Sequence, residues 1–212
     1  MLILANNFYT PVKTIFGIPQ DQIKKLFVLY MISHAGIFFI LNAIYWDDWT
    51  LWNVDSQVIL ETFRQAGSPF NFTGYLHNFL LLAGPWIYRI LTFILIFLSG
   101  VLLWHILKRS KLIIDEASIL LVVLFYLVTP LYIARVALID FPYTLCVFLF
   151  YLAWFVQGRF RLLSLALFFL SFNTQSLLVF YSLPMLDYFF RENNKLSFGS
   201  ILRWGIGKLD FI

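Results

Sequence analysis

A long apolar run from Pro85 to Leu107 contains a single charged side chain, Arg89. At a rise of about 1.5 Å per residue, a helix of this length crosses a hydrocarbon layer of ~30 Å. The whole chain is similar, with 61% hydrophobic and 12% charged residues, whereas a soluble domain is nearer half apolar and a quarter charged. Most of the apolar surface is therefore expected to face lipid, as in an integral, multi-pass membrane protein.

Three further apolar runs predict membrane spans at 26–46, 117–134 and 141–156, beside the one at 85–107. The segment 162–190 is also apolar, but it is polar at its middle, where Asn173, Thr174 and Gln175 follow one another. Basic residues flank both of its ends, so both ends are expected on the same side of the membrane. This pattern predicts a short helical hairpin packed inside a helix bundle, which can satisfy the backbone groups of the turn.

The longest connection between clear spans is the loop 47–84. Within it, apolar residues recur near helical spacing with polar residues between them, at Val54, Val58, Ile59, Phe63 and Ala66. Asn53 or Asp55 can cap the start of such a helix, and Gly67 followed by Pro69 can end it. A second short helix is predicted at 75–82. The loop is thus predicted to carry amphipathic helices that lie along the membrane surface.

The basic residues fix the orientation of the predicted bundle. With a cytoplasmic N-terminus, only Arg64, Arg89 and Arg135 fall on or near the outer face, and the other basic residues between the apolar runs fall inside, at Lys13, Lys24, Lys25, Lys108, Arg109, Lys111, Arg159, Arg161, Arg191 and Lys195. This is the distribution of a bacterial inner-membrane protein. It also accounts for the net charge of +4 without a nucleic-acid partner.

The predicted fold class is therefore all-α: a polytopic membrane helical bundle with a structured outer loop. Residues 1–195 form one module in this interpretation, and 196–212 begin a further apolar and basic segment that looks truncated. The lone Cys146 lies in an apolar run and has no partner for a disulfide.

Three motifs occur in a specific order. Asp47 and Asp48 follow the first predicted span; the stretch "YIARVALIDFPYTLCVFLFYLAW" runs from Tyr132 to Trp154; and "LLSLALFFLSFNTQSLLVFYSLPMLDYFF" runs from Leu162 to Phe190. Together they resemble the N-terminal module of GT-C type membrane glycosyltransferases, the group of protein O-mannosyltransferases and lipid A aminoarabinose transferases. Many relatives carry a lysine at the polar turn of the hairpin, where this sequence has Thr174 and Gln175.

The resemblance implies an enzyme that transfers a sugar from a polyprenyl-phosphate donor to a lipid, glycan or protein acceptor at the outer face. The acceptor hydroxyl must lose a proton, and a carboxylate at the membrane surface can act as the general base. Asp47 is the expected base and Asp48 the expected orienting residue or metal ligand, and the two roles could be exchanged. Two neighbouring carboxylates could also hold a divalent cation, Mg²⁺ or Mn²⁺, that neutralises the phosphate.

Four further residues are candidates for substrate binding, each with a simpler alternative. Arg135 could pair bidentately with the carrier phosphate, or it could reach to the interface or pair with Asp140. Asp140 could line the site or cap the fourth span. Trp49 could stack on a sugar ring, or anchor the interface with Trp46 and Trp52. His77, near the outer surface, is the fourth candidate.

Two other classes of function fit parts of the sequence. A transporter or a flippase for lipid-linked sugars would line its pathway with the polar turn of the hairpin, but few other polar residues occur at mid-membrane depth. A non-catalytic subunit or fragment of a glycosyltransferase is the third class. Binding of polyprenyl phosphate without sugar transfer would favour a transporter over the enzyme.

Overall fold

The computed structural model describes residues 14–15, 17–110, 115–129 and 135–192, and nearly all of their regular structure is helical. The two short strands β1 (Thr14–Ile15) and β2 (Ile18–Pro19) pair antiparallel ahead of the first helix. The α-helices are α1 Gln20–His34, α2 Ser56–Gln65, α3 Phe72–Leu81, α4 Pro85–Ser110, α5 Glu116–Val128, α6 Phe141–Val156, α7 Arg161–Ser171, α8 Ser176–Phe180 and α9 Ser182–Glu192. The predicted all-α fold is confirmed, while the predicted segment 196–212 lies outside the described residues.

Helices α4 and α6 pack side by side and run in the same direction. At their starts, Asp48 contacts both Arg89 of α4 and the backbone of Leu138, three residues before α6. At their ends, the Arg109 guanidinium of α4 donates to the backbone oxygens of Trp154 and Phe155. The two longest apolar helices are therefore fixed to each other at both ends.

Helices α1 and α5 run opposite to α4. Lys108 at the end of α4 pairs with Glu116 at the start of α5, with 2.7 Å between Nζ and Oε1. Gly100 lets α5 approach closely, because a Cβ at this position would lie 2.6 Å from Leu127 Cδ2. The buried Tyr30 of α1 donates its hydroxyl to Phe93 O of α4 at 2.7 Å.

The predicted hairpin is present and reverses at residues 172–175. At the start of α7, Ser164 Oγ donates to Ala153 O of α6 at 2.9 Å. In α9, Asp187 accepts a hydrogen bond from the Trp154 indole, also at 2.9 Å. Both arms thus meet the same end of α6, and the ring contact between Phe168 and Tyr181, with 4.8 Å between centroids, holds them together.

These directions give the bundle two chemically different ends. We call the end at the starts of α4 and α6 the acidic end, since it carries Asp47, Asp48, Asp55, Glu61 and Asp140. We call the opposite end the basic end, since it carries Lys24, Lys25, Lys108, Arg109, Arg159, Arg161 and Arg191. The basic end also carries Asp21, Asp115, Glu116 and Asp187, and the acidic end also carries Arg64, Arg89 and Arg135, so the two ends differ in net charge only.

Between the two ends, large apolar side chains lie on the outside of the bundle. Examples are Ile32, Leu121, Phe125, Leu162 and Val179, each at least two-thirds exposed. Contiguous exposed apolar surface of this kind marks an interaction with lipid or another protein. Two helical segments, Pro85–Ser110 and Leu138–Val156, are long and apolar enough to cross a membrane, with mean hydropathy 2.5 and 1.7.

The first predicted span, 26–46, differs most from the structure. Helix α1 ends at His34, a 3-10 segment covers Ala35–Phe39, and turns lead from there to the acidic end. At this point the Ser33 hydroxyl donates to Tyr30 O and contacts the His34 ring. Hydropathy does not detect the end of this helix, because the run remains apolar.

The structured loop predicted at 47–84 is present. Asp55 caps α2 by accepting from Gln57 N at 2.8 Å, as predicted. Gly67 follows the helix with φ of +80°, a left-handed conformation that favours glycine. The second helix, α3, begins at Phe72, three residues earlier than predicted. Helices α2 and α3 pack on each other and form a layer at the acidic end.

Candidate functional site

Asp48 connects three separate segments at the acidic end. Its Oδ2 accepts from the backbone N–H of Tyr45 at 2.8 Å and forms a buried ion pair with Arg89. Its Oδ1 accepts from the backbone N–H of Leu138 at 2.6 Å. The same Arg89 donates to Ala43 O at 3.0 Å. One carboxylate and one guanidinium therefore hold the loop after α1, the start of α4 and the turn before α6.

This geometry gives Asp48 a role different from the predicted one. The Asp48 side chain is 1% exposed, the Arg89 side chain is 0% exposed, and both carboxylate oxygens already accept hydrogen bonds. A buried pair is tolerated when each charge is neutralised and hydrogen-bonded, and removal of one partner is costly. In this structure Asp48 has a structural role, because both of its oxygens contact groups within the protein.

Asp48 does not fit the role of metal ligand that the sequence suggested for it. Within the described residues, no group of three or more His, Cys, Asp or Glu side chains could hold a metal ion. Asp48, the expected metal ligand, has its oxygens committed to Arg89 and to two backbone N–H groups. Asp47 is the remaining acid of the pair, and Mg²⁺ is usually held by one or two carboxylates together with phosphate and water, so the divalent cation stays a prediction.

Asp47 is adjacent to Asp48 but lies in a different environment. The two residues belong to the 3-10 segment Trp46–Thr50, in which successive side chains point in directions about 120° apart. Asp48 consequently points into the protein, while Asp47 is only half-buried. The Thr50 hydroxyl donates to Asp47 O at 2.7 Å and fixes the backbone there. Asp47 is thus the acid of the pair that keeps access to the surface.

A cavity of about 760 Å³ opens along α6 between α4, α5 and the hairpin. Most of its lining is apolar, with Leu103, Leu107, Val147, Phe150, Trp154, Leu177, Phe180 and Leu183. The lining extends along α6 from Asp140 to Trp154, which corresponds to roughly 21 Å of helix at 1.5 Å per residue. The cavity is therefore long and mainly apolar.

Polar groups of this cavity gather where α6 begins. Arg135 and Asp140 line it there together with the Tyr143 side chain, and Thr174 contributes from the turn of the hairpin. Arg135, Asp47 and Asp48 all lie within electrostatic range of the Asp140 carboxyl. Arg135 and Asp140 thus lie at the polar end of the apolar cavity, and Asp47, which does not line it, lies within electrostatic range of Asp140.

The other two predicted site residues lie elsewhere. His77 is fully buried; its Nδ1 lies 2.9 Å from the Tyr88 hydroxyl, and its ring stacks on Phe63 with 4.5 Å between centroids. Burial lowers the pKa of His77 to about 3, so the ring is neutral near pH 7. This is a packing role, in contrast to the predicted substrate contact. Trp49 is 66% exposed and does not line the cavity.

Sequence reasoning missed two kinds of residue. Tyr143, Val147, Tyr151 and Trp154 line the cavity from one face of α6, and their spacing of three to four residues was a readable signal. Arg89, the partner of Asp48, was the one charge in the apolar run 85–107, and a lone charge in such a run is expected to have a buried partner.

No family model matches the chain, and neither a curated protein nor a solved structure is significantly similar to it. The likeness to GT-C enzymes therefore rests on the motifs described above. Any function must be argued from the geometry of the site itself.

Proposed function

We propose that the chain is a multi-pass membrane glycosyltransferase, or the N-terminal module of one, that uses a polyprenyl-phosphate sugar. The observation that carries the proposal is the apolar cavity whose polar end holds Arg135 and Asp140 beside Asp47. A polyprenyl-phosphate sugar has the matching form, since a long apolar chain ends in an anionic phosphate and a polar sugar. The acceptor would be a lipid, a glycan or a protein.

The exterior of the bundle supports the membrane part of the proposal. Two helical segments meet the length and apolarity of a membrane span. Lys and Arg side chains concentrate at one end of the bundle, which is the expected distribution if that end faces the cytoplasm. The exposed apolar side chains between the ends would then contact lipid. The carrier chain would enter the cavity from the hydrocarbon region, and its phosphate would lie toward the acidic end.

The proposed reaction is a displacement at the anomeric carbon of the donor sugar. Asp47 accepts the proton of the acceptor hydroxyl, whose oxygen forms a bond to the anomeric carbon. The bond from that carbon to the phosphate oxygen breaks, and its electron pair leaves with the polyprenyl phosphate. The Arg135 guanidinium stabilises the departing phosphate, since planar guanidinium groups match phosphate oxygens in geometry. Asp140, close to Arg135, orients that guanidinium.

The experiment compares matched aspartate variants of the full-length protein in proteoliposomes supplied with undecaprenyl-phosphate hexoses. Asp47→Asn removes the base and is expected to lower kcat by about 10²–10⁴-fold. Asp55→Asn is the control, because asparagine caps a helix start as well as aspartate does. Arg135→Gln should raise KM for the donor more than it lowers kcat.

Two results would contradict the proposal. Unchanged transfer by Asp47→Asn would remove the assigned base. Binding of undecaprenyl phosphate by the wild-type protein, without transfer of any hexose tested, would favour a transporter or flippase that uses the same cavity.

A further inference from the structure

A second cavity, of about 400 Å³, lies at the basic end of the bundle. Three arginines from different parts of the chain line it: Arg109 from the end of α4, Arg159 from the turn after α6, and Arg191 from the end of α9. Phe155 and Phe160 line it as well. The cavity is separate from the one along α6, since the two share no lining residue. It therefore needs an account of its own.

Two of the three arginines are held in place by the protein. Arg109 donates to Phe155 O at 2.7 Å and to Trp154 O at 2.9 Å, so it satisfies carbonyl groups at the end of α6. Arg191 lies 3.3 Å from Asp187 Oδ2. Gly158 leaves room for it, because a Cβ there would lie 3.3 Å from Arg191 Nη1. The fold thus positions two of the three guanidinium groups, while the third, that of Arg159, belongs to an exposed side chain.

The charges around this cavity are not balanced. Asp187, 1% exposed as a side chain, is the carboxylate that pairs with Arg109 and Arg191, at 3.7 and 3.3 Å. Arg159 lies over the Phe160 ring at 5.4 Å, and among the described residues no carboxylate lies within ion-pair distance of it. Three guanidinium groups therefore face one carboxylate.

One donor of the held arginines also lacks an acceptor. Arg109 Nε is buried and has no hydrogen-bond partner within the described part of the chain, whereas Arg191 Nη2 lies 3.3 Å from Asp187 Oδ2. A buried donor without an acceptor costs free energy, more so when it is charged. Like charges gathered in one place add a repulsion that an anion would relieve. The cavity thus has the positive charge and a free donor, Arg109 Nε, that suit an anion.

We propose that this cavity binds the phosphate of an anionic phospholipid headgroup. Phe160, Leu162 and Leu163 lie beside it and are half or more exposed, which offers apolar surface to the acyl chains. Basic pockets between helices on the cytoplasmic side are suited to such headgroups. This site is independent of the sugar-transfer chemistry, and it would anchor the end of the bundle where α4, α6 and α9 meet.

The test uses the full chain in nanodiscs of phosphatidylcholine alone or with phosphatidylglycerol, and it measures Tm. Phosphatidylglycerol is expected to raise Tm of the wild-type protein. Arg159→Gln should lose most of this increase, and the Kd for dihexanoyl phosphatidylglycerol should weaken by about tenfold, the loss of one charge-assisted contact. Arg159 is exposed and not ion-paired, so the substitution should leave the fold intact. Arg64→Gln, at an exposed arginine of the acidic end, is the matched control.

Two outcomes would overturn the assignment. An equal response of wild type and Arg159→Gln to phosphatidylglycerol would show that the cavity does not hold the headgroup. An equal Tm increase with millimolar inorganic phosphate in phosphatidylcholine discs would assign the site to a soluble phosphate. Sugar transfer is measured separately, so loss of lipid binding with intact transfer would leave the proposed function standing.

Discussion

The acidic and basic ends of the bundle use the same residue types in different ways. At the acidic end, one aspartate pairs with one arginine, both are buried, and the pair is neutral. At the basic end, one buried aspartate lies among arginines that are partly exposed, and positive charge is in excess. Charge balance and burial, rather than the presence of acids and bases, therefore distinguish a structural ion pair from a surface that suits a ligand.

The strongest test of the comparison removes the carboxylate charge at the acidic end. Asp48→Asn leaves Arg89 buried and without its partner, so it should lower the free energy of unfolding by about 3–5 kcal/mol. Chemical denaturation in detergent micelles measures this loss. Asp47→Asn serves as the control, because the neighbouring half-buried acid should change stability little. Similar losses for the two variants would contradict the assignment of separate roles.

The matching change at the basic end should have a smaller effect. Asp187→Asn weakens the ion pairs to Arg109 and Arg191, but both arginines retain some contact with solvent. We expect a loss of roughly 2–3 kcal/mol, measured by the same denaturation. Added phosphatidylglycerol should recover part of that loss for Asp187→Asn and none for Asp48→Asn. If phosphatidylglycerol restored the free energy of unfolding of both variants, or of neither, the proposed difference between the ends would be contradicted.

A pH titration tests the burial of His77 at the acidic end. The pKa of His77 is lowered to about 3 by burial, whereas an unfolded histidine titrates near pH 6.5. Below pH 6.5 the unfolded chain takes up a proton that the folded chain does not. The free energy of unfolding therefore decreases as the pH is lowered, by about 2 kcal/mol at pH 5. His77→Gln should remove this part of the pH dependence. An unchanged profile would show that His77 is solvated.

The smallest effect is expected at the exposed ion pair of α2. Arg64 and Glu61 lie 2.7 Å apart but both are open to solvent. Glu61→Gln should leave Tm unchanged within error, because exposed pairs are screened and contribute little. Differential scanning fluorimetry is sufficient to measure Tm here. A Tm loss as large as that of Asp187→Asn would show that contacts outside the described residues bury the pair.

Much of the fold could be predicted because its signals are local. Hydropathy predicted α4 and α6 within a few residues, and apolar spacing with Asp55 and Gly67 predicted α2. The end of α1 at His34 was not predicted, because the sequence stays apolar beyond it. Composition does not show where a helix ends inside an apolar run.

The candidate site was predictable only in part, for a related reason. Asp47, Arg135 and Asp140 follow predicted spans on the same side, so topology alone brings them together. The burial of Asp48 depends on Arg89, which lies 41 positions away, and no local pattern reveals that pairing. The basic cavity could not be predicted for the same reason. Each of its arginines was expected on the cytoplasmic side, but only the packing of the helices brings Arg109, Arg159 and Arg191 together.

The most direct test of the account asks whether the two ends lie on opposite faces of a membrane. Single cysteines are placed at Trp49→Cys and Arg159→Cys, both exposed positions, in a Cys146→Ser background. Intact cells are treated with a membrane-impermeant thiol reagent before and after permeabilisation. The account predicts labelling of position 49 in intact cells and of position 159 only after permeabilisation. Labelling of position 49 only after permeabilisation would contradict it.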